Sequence, residues 1–479
     1  MNMETLLVDF RSEALTAVVY ISHSIIGFAL FQNVIYLVQL VLAYVELRRK
    51  RPISPDSTLW HMLTSDITQP ISLFAPAYNE EANIVESVHS LLALHYPHFE
   101  VIVINDGSTD GTLETLIDAF ELVPVERSFE LSVSHKPVRQ IYASSRNRKL
   151  VVIDKENGGK SDALNAGINV SRYPLFCAMD ADSLLETDAL LRVVQPFVDD
   201  PSVVAVGGTV RIVNGCTVRA GHITKVALPK KILPLFQTME YLRAYLMARL
   251  AWSYLDALLL ISGAFGIFKR QTAISVGGYS HGTVGEDMEI LVKIHRKLHE
   301  EGTKYRIAFV PEPVCWTEAP ETLGVLYRQR TRWQRGSLET FFKHRKMLLN
   351  PRYGNVGMLG FLNTLIVDVI GPPIEVAGYF MIPLFWFLDM MTFELLLAYT
   401  ALTFVFGIFI SVGSLILEEM ELKRFPAPSD LVVLTLAAVL ENFGYRQLNN
   451  IWRVAGYWQF LRKVQGWGKM TRTGFKKKS

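Results

Sequence analysis

Residues 173–183 read YPLFCAMDADS, an apolar run that ends in two aspartates, Asp180 and Asp182. The run has the length of a buried strand, and similar runs alternate with helical stretches between residues 70 and 310. The pattern predicts strands at 71–75, 101–105, 150–154, 175–180 and 203–207. It predicts helices between them at 80–94, 112–119, 160–170 and 186–198. Such alternation is typical of an α/β, Rossmann-like domain with a mostly parallel sheet and helices on both faces.

Polar residues follow the predicted strands at the point where each strand ends. They are Asn79 and Glu80, Asp106, Lys160, and the pair Asp180 and Asp182. In sheets of this kind, ligands bind in the crevice at the carboxyl ends of the strands. The sequence therefore predicts that these side chains converge on one site.

The two aspartates of the opening stretch are candidate metal ligands. Hard divalent cations such as Mg²⁺ or Mn²⁺ prefer carboxylate oxygens, and in transferases they often neutralise a diphosphate. An isolated Asp-x-Asp is also common in a solvated turn or a helix cap. The position of Asp180 and Asp182 at a strand end, with acids at neighbouring strand ends, favours the metal interpretation.

Three further residues have both a functional and a purely structural interpretation. Asp106 begins a Gly-Ser-Thr-Asp-Gly turn, where it either accepts turn hydrogen bonds or contacts a base or ribose. Lys160 follows two glycines at a helix start, a position suited to a phosphate or base. Asp287 opens a predicted helix, where it either complements the helix dipole or acts as a general base.

Residues 329–333 read QRTRW and lie in a helical stretch. Gln329, Arg332 and Trp333 have the spacing i, i+3 and i+4, so they share one helix face. Arginine can hold a diphosphate through two hydrogen bonds, and tryptophan offers a flat surface to a sugar ring. The alternative is a basic helix lying on anionic lipid.

The two ends of the chain are apolar. Residues 14–45 contain no Asp, Glu, Lys or Arg, and the stretch is longer than the roughly 20 residues that cross a bilayer. The basic run 48–51 follows it. The positive-inside rule then places the N-terminus outside the cell and the following domain in the cytosol. The chain is therefore expected to be an integral protein of the plasma membrane. The predicted organisation is a transmembrane segment at 1–50, a cytosolic domain at 51–350, and a C-terminal membrane region with a basic tail at 351–479.

In the C-terminal region, residues 395–417 form a clean span and 431–440 a weaker candidate. Residues 357–388 contain Gly-Pro-Pro at 371–373, which predicts a kinked span or an interfacial helix followed by a short one. Asp368 and Glu375 within it either line a polar passage or lie at the headgroups. Residues 233–260 and 341–349 are predicted to be interfacial helices, or else to pack in the ordinary way.

The chain resembles the processive, membrane-embedded family 2 glycosyltransferases, the synthases of hyaluronan, chitin, cellulose and poly-N-acetylglucosamine. The resemblance covers about residues 70 to 345 and the flanking spans. The motifs that carry it are PAYNE at 76–80, DGS at 106–108, NGGK at 157–160, DAD at 180–182, GED at 285–287 and QRTRW at 329–333. The GED motif is more similar to the chitin, hyaluronan and poly-N-acetylglucosamine branch than to cellulose synthases.

The resemblance implies a GT-A fold, a UDP-sugar donor and a divalent metal, Mg²⁺ or Mn²⁺. It implies that Asp287 is the catalytic base and that Asp182 and Asp180 hold the metal. The implied donor residues are Asn79, Glu80, Asp106, Lys160, Asp180, Gln329 and Arg332. The implied acceptor residues are Trp333, Gly263, Ala264 and Phe265.

The favoured function is an inverting, processive transferase that polymerises a sugar, N-acetylglucosamine by resemblance, into a β-linked chain at the membrane. A non-processive transferase acting on a lipid or short acceptor is the alternative, and a non-catalytic scaffold is a third. The expected partners are the UDP-sugar, the growing polysaccharide and the lipid bilayer. A net charge of +2 gives no bias toward nucleic acid, and the sequence specifies no accessory or secretion subunit.

Overall fold

The computed structural model describes residues 3–49, 68–180, 183–219, 221–421 and 427–464. Within these ranges the chain forms a ten-stranded sheet, in the order β3-β4-β5-β2-β1-β6-β11-β8-β12-β7, and a two-stranded ribbon of β9 and β10. The strands are β1 Ile71–Ala77, β2 Phe99–Asp106, β3 Leu122–Val125, β4 Val138–Ser144, β5 Leu150–Lys155, β6 Leu175–Met179, β7 Leu184–Leu185, β8 Val203–Ile212, β9 Thr217–Arg219, β10 His222–Lys225, β11 Phe265–Lys269 and β12 Arg306–Thr317.

The sheet has a parallel block, β5-β2-β1-β6, and a separate parallel pair, β8 with β12. All five predicted strands are present, as β1, β2, β5, β6 and β8. Every residue of β2 is buried because both faces of the strand are covered, and its central run, residues 101–104, is apolar. Antiparallel strands flank this block, with β4 on β5 and β11 between β6 and β8. Strands β3, β4, β11 and β12 were not predicted from the sequence.

Helices cover the sheet and carry the connections between strands. They are Ile84–Leu92, Thr112–Phe120, Lys160–Val170, Ala189–Asp199, Arg270–Ser275, Glu286–Glu300 and Leu323–Lys343. The four helices predicted between the strands are all present, the first and fourth shorter by about a turn at the N-terminal end. The predicted α/β GT-A domain is therefore confirmed.

A long helix lies between this domain and the apolar ends of the chain. It begins as Ile232–Tyr241, continues as a π-helix at Leu242–Arg249 and ends as Leu250–Tyr254, and we call it the bridging helix. Its side chains Leu246 and Leu250 are fully buried, and it packs on the helix Met3–Arg49 and on β8. The apolar stretch predicted at 233–260 thus packs against protein on both sides.

The prediction of a separate interfacial helix at 341–349 is wrong. Phe341 belongs to the end of the Leu323–Lys343 helix, and a 3₁₀ turn, Arg345–Met347, follows. Phe341 and Met347 are buried in a small apolar cluster instead of facing lipid. The neighbouring side chains of Lys343 and His344 contact the buried carboxylate of Glu289, which explains their presence without a membrane surface.

Three helices are long and apolar enough to cross a membrane: Glu13–Arg49, Val356–Phe387 and Phe393–Met420, called here the first, second and third spans. Their large apolar side chains are exposed on the outside of the protein, for example Leu30 at 51% and Phe387 at 83%. An exposed apolar surface on helices of this length is typical of contact with lipid. The GT-A domain is therefore flanked by membrane helices.

The second span passes through Gly-Pro-Pro as one helix, so it does not divide into an interfacial and a short segment. A π-helical stretch, Thr364–Ile370, precedes the helix Gly371–Phe387. The weak candidate at 431–440 lies in the shorter helix Pro428–Leu440, and a last helix, Tyr445–Leu461, follows. The basic run after residue 49 and the basic tail after residue 464 lie outside the described residues.

Candidate active site

A cavity of about 1920 Å³ extends from the carboxyl ends of the parallel strands to the membrane helices. Most of the residues predicted from the sequence line it, although they are up to 254 positions apart. They are Asn79, Glu80, Asp106, Lys160, Asp180, Gly263, Ala264, Asp287, Gln329, Arg332 and Trp333. The strand ends meet here because β1, β2, β5 and β6 all run in the same direction.

Two predicted residues are not among those that line the cavity. Phe265 is the first residue of β11, and its side chain is completely buried in the main hydrophobic core. The alternation of side chains along a strand directs it away from the cavity that Gly263 and Ala264 line, so its assignment to the acceptor site is corrected. Asp182 lies outside the described residues, so its position relative to Asp180 stays a prediction.

At one end of the cavity, Asn79 joins the loops that follow β1 and β2. Its side-chain oxygen accepts a hydrogen bond from the Thr109 backbone at 2.8 Å, and its own N–H donates to Ser108 Oγ at 3.0 Å. Asn79 has a positive φ of 56°, which asparagine tolerates better than most residues. These contacts hold the turn that follows Asp106, which was predicted to contact the base or ribose of the donor.

The carboxylate of Asp106 is buried and fully engaged. It accepts hydrogen bonds from Lys155 Nζ at 2.6 Å and from the backbone N–H groups of Gly158 and Gly159 at 3.0 and 2.7 Å. Lys155 has no exposed surface and also pairs with Asp162 at 2.5 Å. Asp106 therefore organises the glycine loop that precedes Lys160.

The Lys160 ammonium lies among carboxylates at the centre of the cavity. It is 2.5 Å from Asp180 Oδ1 and 3.6 Å from Glu286 Oε1, and it donates to the Gly263 carbonyl at 2.9 Å. Burial lowers the pKa of Lys160, but the charges of Asp180 and Glu286 outweigh burial and raise it. The positive charge of Lys160 is thus stabilised, and its partners differ from those of Asp106.

Asp287 begins the helix Glu286–Glu300 next to this cluster. Its Oδ1 accepts the Met288 N–H at 2.9 Å. A Cβ atom at Gly263 would stand 3.3 Å from Asp287 Oδ2 and 3.2 Å from Lys160 Nζ, so glycine at 263 keeps the space in front of that oxygen open. The adjacent Glu286 is buried, and burial, reinforced by the charge of Asp287 and opposed by Lys160, raises the pKa of Glu286.

Trp333 lies on the Leu323–Lys343 helix and is 43% exposed toward the cavity. The Arg330 guanidinium lies 4.3 Å from the centre of its ring, on the buried side of the helix. Arg330 is held in turn by Glu240 of the bridging helix at 2.6 Å. The indole therefore presents a supported ring to the cavity, while Gln329 and Arg332 line the same wall.

The GED motif and this helix are in direct backbone contact. A Cβ atom at Gly336 would lie 2.8 Å from the Gly285 Cα, and a Cβ atom at Gly285 would lie 2.9 Å from Gly336. Only glycine at both positions permits this approach. The contact fixes the distance between Asp287, two residues after Gly285, and Trp333, three residues before Gly336.

The far end of the cavity lies among the spans and is polar. Asp368 and Glu375 of the second span both line it, as the polar-passage interpretation requires. Glu375 accepts hydrogen bonds from Gln32 of the first span at 2.7 Å and from Tyr379 at 3.0 Å. Asn450 of the last helix also donates to Glu375.

Several residues of the site were missed by the sequence analysis. Lys155 and Glu286 had a usable signal, since Lys155 lies two positions before the NGGK motif and Glu286 is the middle residue of the GED motif. Tyr245 and Arg249 of the bridging helix had none, because their role depends on where that helix packs. The Arg249 guanidinium stacks 3.8 Å from the Tyr245 ring and donates to the Ile261 carbonyl beside the cavity.

The charge around Asp180 suits a cation. Its carboxylate is 32% exposed to the cavity, and in this structure the Lys160 ammonium supplies the positive charge that Asp180 and Glu286 attract. Among the described residues there is no group of three or more His, Cys, Asp or Glu side chains arranged to hold a metal. Of the two predicted metal ligands the structure describes Asp180, whose carboxylate oxygens are of the kind that a divalent cation prefers.

The chain matches two family models. "Glycosyl transferase family 2" matches residues 72–250, and "Glycosyl transferase family group 2" matches residues 175–412. It is 29% identical over 333 residues to a poly-beta-1,6-N-acetyl-D-glucosamine synthase of Staphylococcus aureus, which covers 68% of each chain. It is 30% identical over 274 residues to the synthase of the same name from Staphylococcus epidermidis, covering 57% of this chain and 56% of that one.

Among solved structures, a mannosyltransferase from Pyrobaculum calidifontis, in complex with GDP-Man and Mn²⁺, superposes with a TM-score of 0.50 at 18% identity. The superposition covers 91% of this chain and 99% of the other, so it shows a shared fold. The two family models overlap and together span the sheet, the cavity and the second span. The chain is thus a glycosyltransferase whose sequence matches glycosyl transferase family 2 over residues 72–250.

Proposed function

We propose that this chain is an inverting, processive synthase that polymerises N-acetylglucosamine from UDP-N-acetylglucosamine into a β-linked polysaccharide at a membrane. The observation that carries the proposal is the cavity, which is continuous from the strand ends to the polar interior of the membrane helices. Its volume of about 1920 Å³ is well above the roughly 300–1,000 Å³ of pockets that hold one small molecule. It has room for a nucleotide sugar together with several sugar units. The similarity to staphylococcal poly-beta-1,6-N-acetyl-D-glucosamine synthases supports the choice of sugar.

The donor would occupy the strand-end part of the cavity. Asn79, Glu80 and the loop held by Asp106 would surround the uridine, and Lys160 would contact the diphosphate. A divalent metal held by Asp180 and Asp182, Mg²⁺ or Mn²⁺, would neutralise the diphosphate when bound. Gln329 and Arg332 would contact the same diphosphate from the opposite wall and stabilise the negative charge that develops on it.

The acceptor sugar would stack on Trp333 near Gly263 and Ala264. Asp287 would remove the proton from the acceptor hydroxyl as its oxygen forms a bond to the anomeric carbon. The bond from that carbon to the phosphate oxygen breaks at the same time, and UDP leaves with the electron pair. A single displacement of this kind converts an α-linked donor into a β-linked product. The Oδ2 oxygen of Asp287, beside Gly263, would be the one that acts, and the Met288 N–H bond to the other oxygen supports this choice.

The elongating polymer would leave through the polar end of the cavity, past Asp368 and Glu375. The catalytic domain, residues 51–350, would lie in the cytosol, between a span at 1–50 and a membrane region at 351–479. The basic run 48–51 supports this orientation.

The test is a screen of radiolabelled UDP-sugars on membranes that contain the chain, followed by glycosidase digestion and sizing of the product. We expect long chains from UDP-N-acetylglucosamine only, and none from the Asp287→Asn variant. Products of one or two sugars would refute processive synthesis, and a preference for another donor would refute the choice of sugar.

In Trp333→Ala, elongation should fall more than UDP binding, and unchanged product formation would remove the acceptor role of Trp333.

A further inference from the structure

The second span contains a backbone carbonyl that its own helix cannot satisfy. A helical carbonyl accepts a hydrogen bond from the N–H four residues later, or five residues later in a π-helix. For Asp368 those positions are Pro372 and Pro373, and proline has no N–H. An unpaired carbonyl inside a membrane protein is costly, so a partner must come from elsewhere.

Two side chains from other helices supply the missing donors. Gln334 Nε2 donates to the Asp368 carbonyl at 2.6 Å, and the Tyr457 hydroxyl donates to it at 2.9 Å. Tyr457 also donates to the next carbonyl, that of Val369. Gln334 directly follows Trp333, so the proline-interrupted span is attached to the helix that carries the proposed acceptor residue.

The other end of the Gln334 amide is held as well. Its side-chain oxygen accepts a hydrogen bond from Arg453 Nε at 2.7 Å. Arg453 also donates from Nη2 to the Asp368 carboxylate at 2.8 Å and to the Val367 carbonyl at 3.2 Å. We call Gln334, Asp368, Arg453 and Tyr457 the Gln334 cluster, and it joins three separate helices.

Close packing beside the cluster prevents the helices from sliding. Gly456, in the helix Tyr445–Leu461, packs against the helix that carries Trp333. A Cβ atom at Gly456 would stand 2.9 Å from the Thr331 carbonyl oxygen and 2.9 Å from Gln334 Cβ. Gln334 itself is 3% exposed, whereas the neighbouring Trp333 is 43% exposed. The cluster therefore fixes the rotation of this helix, and with it the direction of the indole.

We propose that Gln334, Arg453 and Tyr457 are positioning residues for the saccharide acceptor, and that they act by anchoring the helix of Trp333 to the proline-interrupted second span. The proposal rests on the proposed function, because it assigns a saccharide to Trp333. The cluster contacts the helix on the side of the spans, away from the strand-end residues of the donor part. Its loss should therefore alter acceptor binding and retention of the product, with little effect on the donor.

The test compares the full-length Gln334→Met variant with the wild-type protein in the same membranes. Methionine keeps the length of the side chain and removes both hydrogen bonds. We expect the KM for a short N-acetylglucosamine oligosaccharide to rise about tenfold and the product to shorten, since a buried hydrogen-bonded group is left unpaired. The KM for UDP-N-acetylglucosamine should stay within about twofold, because a positioning role of this kind leaves the donor part in place.

The matched control is Gln237→Met. Gln237 is a fully buried glutamine that also donates to backbone carbonyls, those of Pro320 at 2.8 Å and Leu233 at 3.1 Å, but it does not line the cavity. It should lower the melting temperature about as much as Gln334→Met without shortening the product. Equal effects of the two variants on product length would overturn the proposal, as would a parallel rise of donor and acceptor KM in Gln334→Met.

Two further measurements keep the proposal testable if Gln334→Met does not fold. Tyr457→Phe removes one hydroxyl and should shorten the product at unchanged donor KM; unaltered product length would overturn the proposal. Gln334→Met combined with Arg453→Met should shorten the product no more than the stronger single variant, because both remove the same anchor. If the two substitutions shortened the product multiplicatively, Gln334 and Arg453 would not act as one anchor. Failure of the wild type to form any polymer would instead refute the proposed function.

Discussion

The contact between Gly285 and Gly336 yields the sharpest prediction, because it joins the proposed base to the proposed acceptor helix without side chains. In Gly336→Ala, the new Cβ would lie 2.8 Å from the Gly285 Cα, whereas ordinary contact begins at 3.4 Å. Both partners are backbone, so no flexible side chain can yield. The two segments must therefore separate by at least about 0.6 Å, the difference between these distances.

This separation has two calculable consequences. Overpacking of a well-packed contact costs about 1–3 kcal/mol of stability. A displacement of about 1 Å between reacting groups costs about 100-fold in rate, so a movement of more than half that size should reduce transfer by on the order of tenfold or more. UDP binding should change less than transfer, because neither Gly285 nor Gly336 belongs to the strand-end loops.

The assay measures UDP release from UDP-N-acetylglucosamine, UDP affinity and melting temperature on the full chain. Gly324→Ala is the matched control in the same helix, since its Cβ would meet only Arg328 Nη1, at 3.9 Å. We expect Gly324→Ala to transfer at the wild-type rate. If Gly336→Ala transfers within about twofold of Gly324→Ala, the claim that this contact sets the catalytic geometry is wrong.

Three other variants test separate features. Asp287→Asn should retain UDP binding and lose about 100-fold or more of transfer, because general-base catalysis is removed; measurable turnover near the wild-type rate would contradict this role. Lys155→Met leaves the carboxylates of Asp106 and Asp162 buried without a counter-charge and should lower the free energy of unfolding by about 3–5 kcal/mol; an unchanged melting temperature would refute that. Burial lowers the pKa of His295 to about 4. Between pH 6.5 and 4 the unfolded chain therefore binds a proton that the folded chain excludes, and stability should fall by up to roughly 3 kcal/mol on acidification. His295→Gln should flatten this dependence, and an equal slope in variant and wild type would contradict the assignment.

Local patterns were sufficient wherever a residue's role depends on its near neighbours in sequence. The apolar runs that became β1, β2, β5 and β6 are recognisable because strands buried on both faces are apolar throughout. Asp180 follows one such run directly, and the residues 329–333 share a helix face by spacing alone. The three spans were recognisable for the same reason, since length and apolar composition decide whether a helix can cross lipid.

Predictions from local patterns were wrong where a residue's role depends on the direction of its side chain or on a partner distant in the sequence. Phe265 was assigned to the acceptor site together with Gly263 and Ala264, but a strand begins at this residue and directs its ring into the core. Residues 341–349 were assigned to an interfacial helix because apolar and basic residues alternate there. Glu289, more than fifty positions earlier, accounts for two of those basic side chains.

The sequence by itself determined the kind of protein: an α/β glycosyltransferase with its acids at strand ends and its apolar helices at both ends of the chain. Only the tertiary structure decided which groups touch. The pairing of Asp106 with Lys155, the approach of Gly285 to Gly336 and the bond from Gln334 to Asp368 all join segments that are distant in the chain. The physical reason is that strand and helix patterns depend on short-range periodicity, whereas hydrogen bonds and close backbone contacts depend on how whole elements pack in space.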